Sequence, residues 1–268
     1  MTDEPSPGRG RGLACLVLAA GFGTRMRPFT DKVPKPLLTV DNEEILARAL
    51  HHGGRLASRS IVNAHYLARQ IEEFVPPLDV EVSREPGVLG TAGAVGRIRD
   101  WLGDDDLLIL NGDTWIGEIG HSFVQDWDRE RPRLLVQDTG READFGTGRF
   151  IGASLLPNGA ARRLEERESG LYEEVWRSAP SLDLVATNTP AFDCGTPEEF
   201  LAANLSVSGK PAVIHPTARP GGPVIRSVLL REASTEPGST CIGEIRDGYG
   251  HRYVSRALQQ GPVRPPVP

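Results

Sequence analysis

The residues best suited to chemistry lie in a glycine-rich segment near the start of the chain, Leu18–Leu38. It reads LAAGFGTRMRPFTDKVPKPLL and carries Arg25, Arg27 and, between two prolines, Lys35. Glycine lets a loop backbone approach a ligand closely, so that backbone N–H groups can point at phosphate oxygens. Arginine and lysine side chains offer positive charge to the same oxygens. The spacing matches neither the P-loop nor the dinucleotide fingerprint, so it predicts either another kind of phosphate-binding loop or a structural turn.

Two carboxylates stand beside short strings of small and polar residues, and the position of Asp113 suits a metal ion. Asp113 closely follows an apolar run at 107–110, and Asp193 precedes a Gly-Thr-Pro string. A carboxylate just beyond a buried strand can hold a hard cation such as Mg²⁺ over phosphate groups. Each string also has a structural interpretation. The first is typical of a polar turn, and Thr196 with the proline after it has the form of a helix start.

A third string, EPGVLGTAGAV at 85–95, is rich in small residues. Gly90, Thr91 and Gly93 leave room for a flat ring against the backbone, whereas composition alone equally favours a glycine-rich turn between a strand and a helix. The string therefore predicts either a nucleotide-base loop or a tight structural connection.

Together, the strings GFGTRMRPFT, PKP, LGTAG, NGD and DCGTP resemble the motifs of the sugar-1-phosphate nucleotidyltransferases, in the same order, over about residues 13–208. The resemblance implies that a sugar 1-phosphate attacks the α-phosphorus of a nucleoside triphosphate, giving a nucleotide sugar and pyrophosphate without a covalent enzyme intermediate. It implies catalytic roles for Arg25, Lys35 and Asp113, and a Mg²⁺ ion held by Asp113 and Asp193. It also implies nucleotide contacts from Ala20, Gly21, Gly23, Thr24, Arg25, Leu89, Gly90, Thr91, Gly93 and Asn111.

The sequence departs from that family's pattern in the acceptor region. Many members carry a Glu-Lys-Pro segment whose lysine contacts the sugar phosphate, but no such segment follows residues 133–137 here, and Arg149 is the candidate replacement. Trp115 and the string GLYEEVW at 170–176 could contact a sugar or pack in the core. The LGTAG form resembles mannose-1-phosphate guanylyltransferases, whereas the short chain and the absent segment resemble N-acetylmuramate-1-phosphate uridylyltransferases. The motifs leave the substrate open between these two.

Strands that alternate with helices supply the scaffold for these motifs. The sequence predicts strands at 13–20, 60–63, 80–83, 107–110 and 133–137. It predicts helices at 43–52, capped by Asp41 or Asn42, and at 67–74, ended by Pro76 and Pro77. This alternation is typical of the α/β class. We expect a three-layer, Rossmann-like fold with a mixed, mostly parallel sheet and ligands beyond the carboxyl ends of its strands.

The predicted organisation has four parts. Residues 1–12 and 259–268 have the composition of disordered tails, 13–208 form the catalytic domain, and 209–258 form a degenerate, β-helix-like appendage. Residues 224–233 look like one turn of a hexapeptide β-helix. Because one coil cannot bury a core alone, we expect the appendage to pack on the main domain or on a second copy of the chain.

The composition of the chain argues against a nucleic-acid-binding, disulfide-rich or membrane protein. A formal net charge of −6 over 268 residues offers no basic face to nucleic acid. Three scattered cysteines suit a reducing cytosol better than a disulfide framework or a zinc site. The apolar run at 13–20 is too short to span a bilayer, and the first residues lack the apolar core of a signal peptide. We therefore expect a cytoplasmic enzyme, with a catalytically silent nucleotide-sugar-binding homologue as the alternative from another class.

Overall fold

The computed structural model describes residues 12–75 and 79–259. The strands are β1 Leu13–Leu18, β2 Thr39–Val40, β3 Glu43–Glu44, β4 Arg59–Ala64, β5 Glu81–Arg84, β6 Asp106–Asn111, β7 Trp115–Ile116, β8 Arg133–Asp138, β9 Gly148–Leu156, β10 Asp183–Ala186, β11 Ala191–Phe192, β12 Val213–Ile214, β13 Val224–Ile225, β14 Val228–Leu229, β15 Cys241–Ile242, β16 Glu244–Arg246 and β17 Arg252–Val254. The α-helices are α1 Ile45–Leu56, α2 Ala68–Phe74, α3 Gly90–Arg97, α4 Arg99–Leu102, α5 Ser122–Gln125, α6 Asn158–Ala161, α7 Pro197–Ser208 and α8 Arg256–Gln259, and Tyr172–Trp176 is π-helical.

Each strand and helix predicted above is present, with its ends shifted by a few residues. Among the described residues, no helix is both long and apolar enough to cross a membrane. The predicted tails, apart from Gly12 and Gln259, lie outside the described residues, as do Pro76 and Pro77.

The chain forms two compact units. Unit 1 comprises the described residues of Met1–Gly21, Ala49–Gly112 and Gly117–Pro190. Its seven-stranded sheet has the order β10-β8-β9-β6-β1-β4-β5. Strand β9 runs antiparallel to both of its neighbours, and the other adjacent pairs are parallel. The prediction of an α/β fold with a mixed, mostly parallel sheet is confirmed. The continuous apolar runs of the sequence form the buried central strands of this sheet.

The carboxyl ends of three strands lie side by side in unit 1. Leu18 at the end of β1 pairs in register with Asn63 of β4 on one side and with Asn111 of β6 on the other. Residues that follow these strands therefore share one edge of the sheet, which is where open α/β sheets bind ligands. This edge holds three predicted site residues, Ala20, Gly21 and Asn111.

Unit 2 comprises Phe22–Arg48, Asp113–Ile116 and the described residues of Ala191–Pro268. Its longest helix, α7, begins as the sequence predicts. Thr196 Oγ1 accepts a hydrogen bond from Glu199 N at 3.3 Å, and Pro197 is the first helical residue. Gly209 follows the helix in the left-handed conformation that commonly ends helices.

The C-terminal strands of unit 2 form a small parallel coil. Strands β12, β14 and β16 stack in parallel, and β13 pairs with β15 in parallel. The prediction of a single coil is therefore wrong in extent, because strands of two or three residues carry too little periodicity to reveal the repeat. Val213, Val228 and Ile245 share a core with Phe200 of α7. The coil thus packs on residues that precede it and belongs to the same compact unit as α7. The division into a catalytic domain and an appendage at residue 208 stays a prediction.

The start of α1 differs from the prediction. Asp41 and Asn42 have φ values of 48° and 67° and form the tip of a hairpin between β2 and β3. They do not cap the helix, which begins at Ile45. Asp and Asn tolerate the left-handed conformation better than most residues, and two such residues in succession favour a tight hairpin turn.

Candidate active site

Lys35 is the centre of a charged cluster in unit 2. The residue is only 5% exposed. Its Nζ lies 2.8 Å from Asp113 Oδ2, 3.0 Å from the carbonyl oxygen of Asp193 and 3.7 Å from Asp193 Oδ1. Asp113 lies just before β7 and Asp193 just after β11, and these two short strands pair antiparallel. Their pairing brings two carboxylates, far apart in the sequence, to one ammonium group.

Gly23 allows the glycine-rich loop to fold against Lys35. It has a φ of +62°, and a Cβ on it would lie 3.1 Å from both Lys35 Cβ and Thr30 Cγ2. Both the left-handed backbone and the close approach therefore favour glycine. Thr30 is fully buried, and its Oγ1 donates a hydrogen bond to Gly23 O at 2.8 Å. Thr30, whose hydroxyl stabilises this turn, was not among the site residues predicted from the sequence.

The two arginines of the loop have different partners. Arg25 Nη2 lies 3.7 Å from Asp193 Oδ2, and both side chains are more than half exposed. Gly195 makes room for this pair, since a Cβ there would lie 2.7 Å from Arg25 Nη2. Arg27 pairs with Asp31, four residues further on. Because 3.7 Å is longer than a hydrogen bond, the contact with Asp193 leaves the Arg25 guanidinium able to bind an anion.

The two carboxylates fit one kind of metal site. Within the described part of the chain, no three or more His, Cys, Asp or Glu side chains are grouped so as to hold a metal ion. Mg²⁺ is commonly bound by one or two carboxylates together with substrate phosphates and waters. Asp113 and Asp193 match that donor set, because they are two carboxylates whose side chains are 40% and 53% exposed and which both lie within 3.7 Å of Lys35 Nζ.

Protein backbone fills the space beside the glycines of the LGTAG string. A Cβ on Gly90 would lie 2.4 Å from Ser169 O, and one on Gly93 would lie 2.1 Å from Arg167 O. Thr91 Oγ1 accepts a hydrogen bond from Leu171 N at 2.8 Å. The prediction that these small residues leave room for a flat ring is therefore wrong at Gly90 and Gly93, because another segment of the chain fills that space. Nucleotide contacts from this string stay a prediction.

A buried network joins two predicted site segments of unit 1. Asn63 Oδ1 accepts a hydrogen bond from Ala19 N at 2.6 Å, and Asn63 Nδ2 donates to Glu85 Oε1 at 2.7 Å. Glu85 Oε2 accepts from Leu89 N at 3.1 Å. Both side chains are only 3% exposed. This network was not predicted from the sequence. The pattern that would indicate it is a polar residue near the end of one apolar strand, here Asn63 in β4, and an acid directly after the next strand, here Glu85 after β5.

A cavity of about 400 Å³ lies in unit 1, and its lining residues are Asp144, Phe145, Phe150, Tyr172 and Trp176. The rings of Phe150 and Trp176 meet edge to face with their centroids 5.0 Å apart. Asp144 Oδ2 accepts a hydrogen bond from Phe150 N at 2.9 Å. The volume lies within the range of about 300–1,000 Å³ that is typical of small-molecule pockets. The string 170–176 thus contributes two aromatic side chains to a cavity.

The other acceptor candidates have protein partners. Arg149 Nη2 donates to Gln137 Oε1 on the neighbouring strand at 2.6 Å. Trp115 is 8% exposed and packs in the core of unit 2, with its ring centroid 6.0 Å from that of Phe192. Of the two interpretations of Trp115, that of a core residue is confirmed.

The predicted site residues are divided between the units. Unit 2 contains Gly23, Thr24, Arg25, Lys35, Asp113 and Asp193, and unit 1 contains Ala20, Gly21, Leu89, Gly90, Thr91, Gly93 and Asn111. The structure gathers the charged members of the first group around Lys35. In the second group, it links the segments of Ala20 and Leu89 through the buried network.

Comparison with known proteins identifies relatives of this chain. Residues 14–167 match the family model described as "Nucleotidyl transferase". The chain is 32% identical to the probable mannose-1-phosphate guanylyltransferase 1 of Oryza sativa subsp. japonica, over 86% of this chain and 75% of that protein. It is 37% identical to the N-acetylmuramate alpha-1-phosphate uridylyltransferase of Neisseria meningitidis serogroup B, over 38% of this chain and 47% of that protein. The match thus spans about half the length of the latter.

Solved structures share the fold at low sequence identity. The UDP-glucose pyrophosphorylase from Acinetobacter baumanii superposes with a TM-score of 0.61 at 16% identity, over 72% of this chain and 92% of that one. HddC from Yersinia pseudotuberculosis, complexed with GMP-PN, superposes with a TM-score of 0.59 at 19% identity, over 72% and 99%. At these identities the likeness establishes the fold alone.

Proposed function

This chain belongs to the nucleotidyl transferase family, and from that premise we propose that it joins a sugar 1-phosphate to a nucleoside triphosphate, giving a nucleotide sugar and pyrophosphate. An oxygen of the sugar phosphate would bond to the α-phosphorus while the bond from that phosphorus to the oxygen bridging to the β-phosphate breaks. The observation that carries the proposal is the cluster in which Asp113 and Asp193 contact the Lys35 ammonium group. Transfers of this type depend mainly on positioning and charge stabilisation.

We assign stabilisation of the leaving group to the glycine-rich segment. Pyrophosphate gains negative charge as it departs, and preorganised donors at that point lower the barrier. Arg25 offers a planar fork of donors and Lys35 a compact point charge. The turn at Gly23, held by the Thr30 hydroxyl, supports a further contribution from the backbone N–H groups of 21–24.

Asp113 and Asp193 are the residues that would hold a divalent cation, which we propose is Mg²⁺. When bound, the ion would neutralise charge on the triphosphate. Hard carboxylate oxygens that are partly open to solvent support this choice. Lys35 contacts both acids, so it holds them near one another before any ligand arrives.

As substrates we propose GTP and mannose 1-phosphate, with UTP and N-acetylmuramate 1-phosphate as the second candidate pair. Relatives that align over most of the chain support the first pair, and a relative that aligns over 38% of it supports the second. The aromatic cavity also favours GTP and mannose 1-phosphate, if the sugar of the sugar phosphate binds in it. Its charged lining residue is Asp144, and a carboxylate repels the carboxylate of a muramate but not a neutral hexose.

We also propose that the protein acts in the cytoplasm, which its three buried free cysteines support. Association with a second copy of the chain stays a prediction. The coil of unit 2 already packs on α7, so its apolar side does not require a partner subunit for burial.

The test is pyrophosphate release by the purified protein, measured for five nucleoside triphosphates against several sugar 1-phosphates, with and without Mg²⁺. We expect the highest kcat/KM with GTP and mannose 1-phosphate, and Asp144→Asn should raise the rate with N-acetylmuramate 1-phosphate relative to mannose 1-phosphate. No release with any pair, together with tight binding of a nucleotide sugar, would support the silent homologue instead.

A further inference from the structure

We propose that Asn63 and Glu85 are positioning residues that set the spacing between the root of the glycine-rich loop and the start of the LGTAG string, and thereby the affinity for the nucleoside triphosphate. The inference rests on the proposed function. Neither side chain forms one of these hydrogen bonds with the backbone of its own strand or turn start. Instead, Asn63 joins Ala19 N to Glu85, and Glu85 joins Asn63 to Leu89 N. One end of the bridge is the N–H of Ala19, directly before the predicted loop, and the other is the N–H of Leu89, the first residue of the predicted base contact.

The bridge is continuous; its first two hydrogen bonds are buried and the third, at Leu89 N, is partly buried. It runs from Ala19 N to Asn63 Oδ1, from Asn63 Nδ2 to Glu85 Oε1, and from Glu85 Oε2 to Leu89 N, over distances of 2.6, 2.7 and 3.1 Å. Both side chains are 3% exposed. Because the buried side chains of Asn63 and Glu85 are shielded from water, a lost partner would leave a polar group unpaired, so these hydrogen bonds favour fixed distances between their ends.

The backbone around Glu85 and Leu89 is held as firmly as the side chains. Glu85 N donates to Ala64 O at 2.8 Å, and a ring nitrogen of His65 lies 3.1 Å from Glu85 O. Leu89 O accepts a hydrogen bond from Ser169 N at 2.9 Å. The short connection from β5 to α3 is therefore fastened at its first residue and at its last residue before the helix. A shift at Asn63 would move both predicted nucleotide segments.

Burial of a carboxylate is otherwise unfavourable, because it removes the charge from water. A packing role alone would be met by an apolar pair of the same size, which is often as stable as a buried polar one. A polar pair that accepts from two distant backbone N–H groups instead specifies a geometry. This is why we assign Asn63 and Glu85 to positioning and not to general stability.

The direction of the hydrogen bonds provides the test. In Glu85→Gln, an amide N–H must face either the Leu89 N–H or the Asn63 side-chain N–H. In Asn63→Asp, two carboxylates face each other. The double variant Asn63→Asp/Glu85→Gln keeps the total charge and restores all three hydrogen bonds, with only the central one reversed: the new carboxylate accepts from Ala19 N and from the new amide, whose oxygen accepts from Leu89 N.

We expect each single variant to raise the KM for the nucleoside triphosphate about tenfold, since an unpaired buried group costs roughly that ratio. The KM for the sugar phosphate should change less, and the double variant should return to within about threefold of the wild type. The matched control is Asn158→Ala. Asn158 donates two hydrogen bonds near the amino end of β6, at the opposite edge of the sheet, so its loss should lower the melting temperature but not change the KM.

Two kinetic results would overturn the inference: a double variant no better than the worse single variant, or KM changes in Asn158→Ala as large as those in Glu85→Gln. Titration of each variant with a non-hydrolysable nucleoside triphosphate gives an independent measure of affinity. It also separates the two proposals. A wild type that binds nucleotide without turnover contradicts the proposed reaction, whereas an active wild type whose variants all bind equally contradicts the positioning role.

Discussion

The ammonium group of Lys35 lies 2.8 Å from the carboxylate of Asp113, although the two residues are 78 positions apart in the chain. The same ammonium group contacts Asp193. One buried lysine therefore holds both acids that the sequence motifs nominate for a metal ion. The pairing of β7 with β11 produces this convergence, and a change to any one of the three groups should affect the others.

Substitution of Asp113 should remove most turnover while the fold remains. Asp113→Asn is nearly isosteric but loses the charge, and the loss of one well-placed charge contact typically lowers the rate by roughly 10²–10³. We expect kcat in Mg²⁺ to fall by that factor. Asp31→Asn, an exposed acid of the same unit that pairs with Arg27, is the control and should stay near the wild-type rate. Activity of Asp113→Asn within a few-fold of wild type would remove Asp113 from the site.

The two arginines should respond differently to the same change. Arg25→Lys keeps the charge but loses the planar fork, so kcat/KM for the triphosphate should fall about tenfold or more. Arg27→Lys should change it less than about twofold, because Arg27 forms an exposed pair with Asp31 and such pairs contribute little. Steady-state kinetics of both variants provide the comparison. Equal losses would mean that the geometry does not separate their roles.

Gly93 and Gly54 form a matched pair for stability. A Cβ on Gly93 would lie 2.1 Å from the backbone oxygen of Arg167, whereas one on Gly54, within α1, meets nothing within 4 Å. Gly93→Ala should therefore reduce the free energy of unfolding by about 1–3 kcal/mol or more. Gly54→Ala should increase it by about 0.5–1 kcal/mol, because alanine favours a helix over glycine. Denaturant unfolding measures both, and a tolerated Gly93→Ala would show that the segment 165–169 can move away.

Removal of residues 209–268 should abolish activity. The structure places Val213, Val228 and Ile245 in one core with Met26 and Phe200. Each such side chain contributes roughly 1.5–3 kcal/mol by burial, so the truncated chain should lose the fold of unit 2 and with it the Lys35 cluster. Circular dichroism and pyrophosphate release monitor the two losses.

A point pair tests the same core without truncation. Val228→Asp places a charge at a position that is 1% exposed, and Ile214→Asp places one on a neighbouring strand at a position that is 40% exposed. The first should unfold unit 2 and the second should be tolerated. A well-folded, active Val228→Asp variant would contradict the shared core.

The cysteines should be unreactive in the folded protein. Burial raises the pKa of the Cys15 and Cys194 thiols to about 12, and burial also raises the pKa of Cys241. Because a raised pKa leaves the thiol protonated at pH 8, and the thiolate is the nucleophile, a thiol-specific disulfide reagent should react slowly. In guanidinium chloride all three should react at once. Rapid labelling of the native protein at pH 8 would indicate that a thiol is open to solvent.

The sequence by itself determined the main strands and helices and the motifs that indicate the protein's function. Continuous apolar runs became central strands because strands buried on both faces need no polar alternation. The start of α7 was readable because a capping threonine, a proline and an acid act on backbone groups within one turn. The glycine-rich segment and both acids were likewise visible, because their residue types and spacing are local properties.

Tertiary structure decided which of those residues meet. Asp113 and Asp193 share Lys35 only because two dipeptide strands pair, and strands of that length leave almost no pattern in a sequence. The space beside Gly90 and Gly93 is filled by the backbone of Arg167 and Ser169. The small size of the glycines shows that something packs closely there, but it does not show which segment. Asn63 and Glu85 escaped notice for the same reason. A hydrogen bond between side chains is set by distance and direction in space, and the chain encodes these only through the fold as a whole.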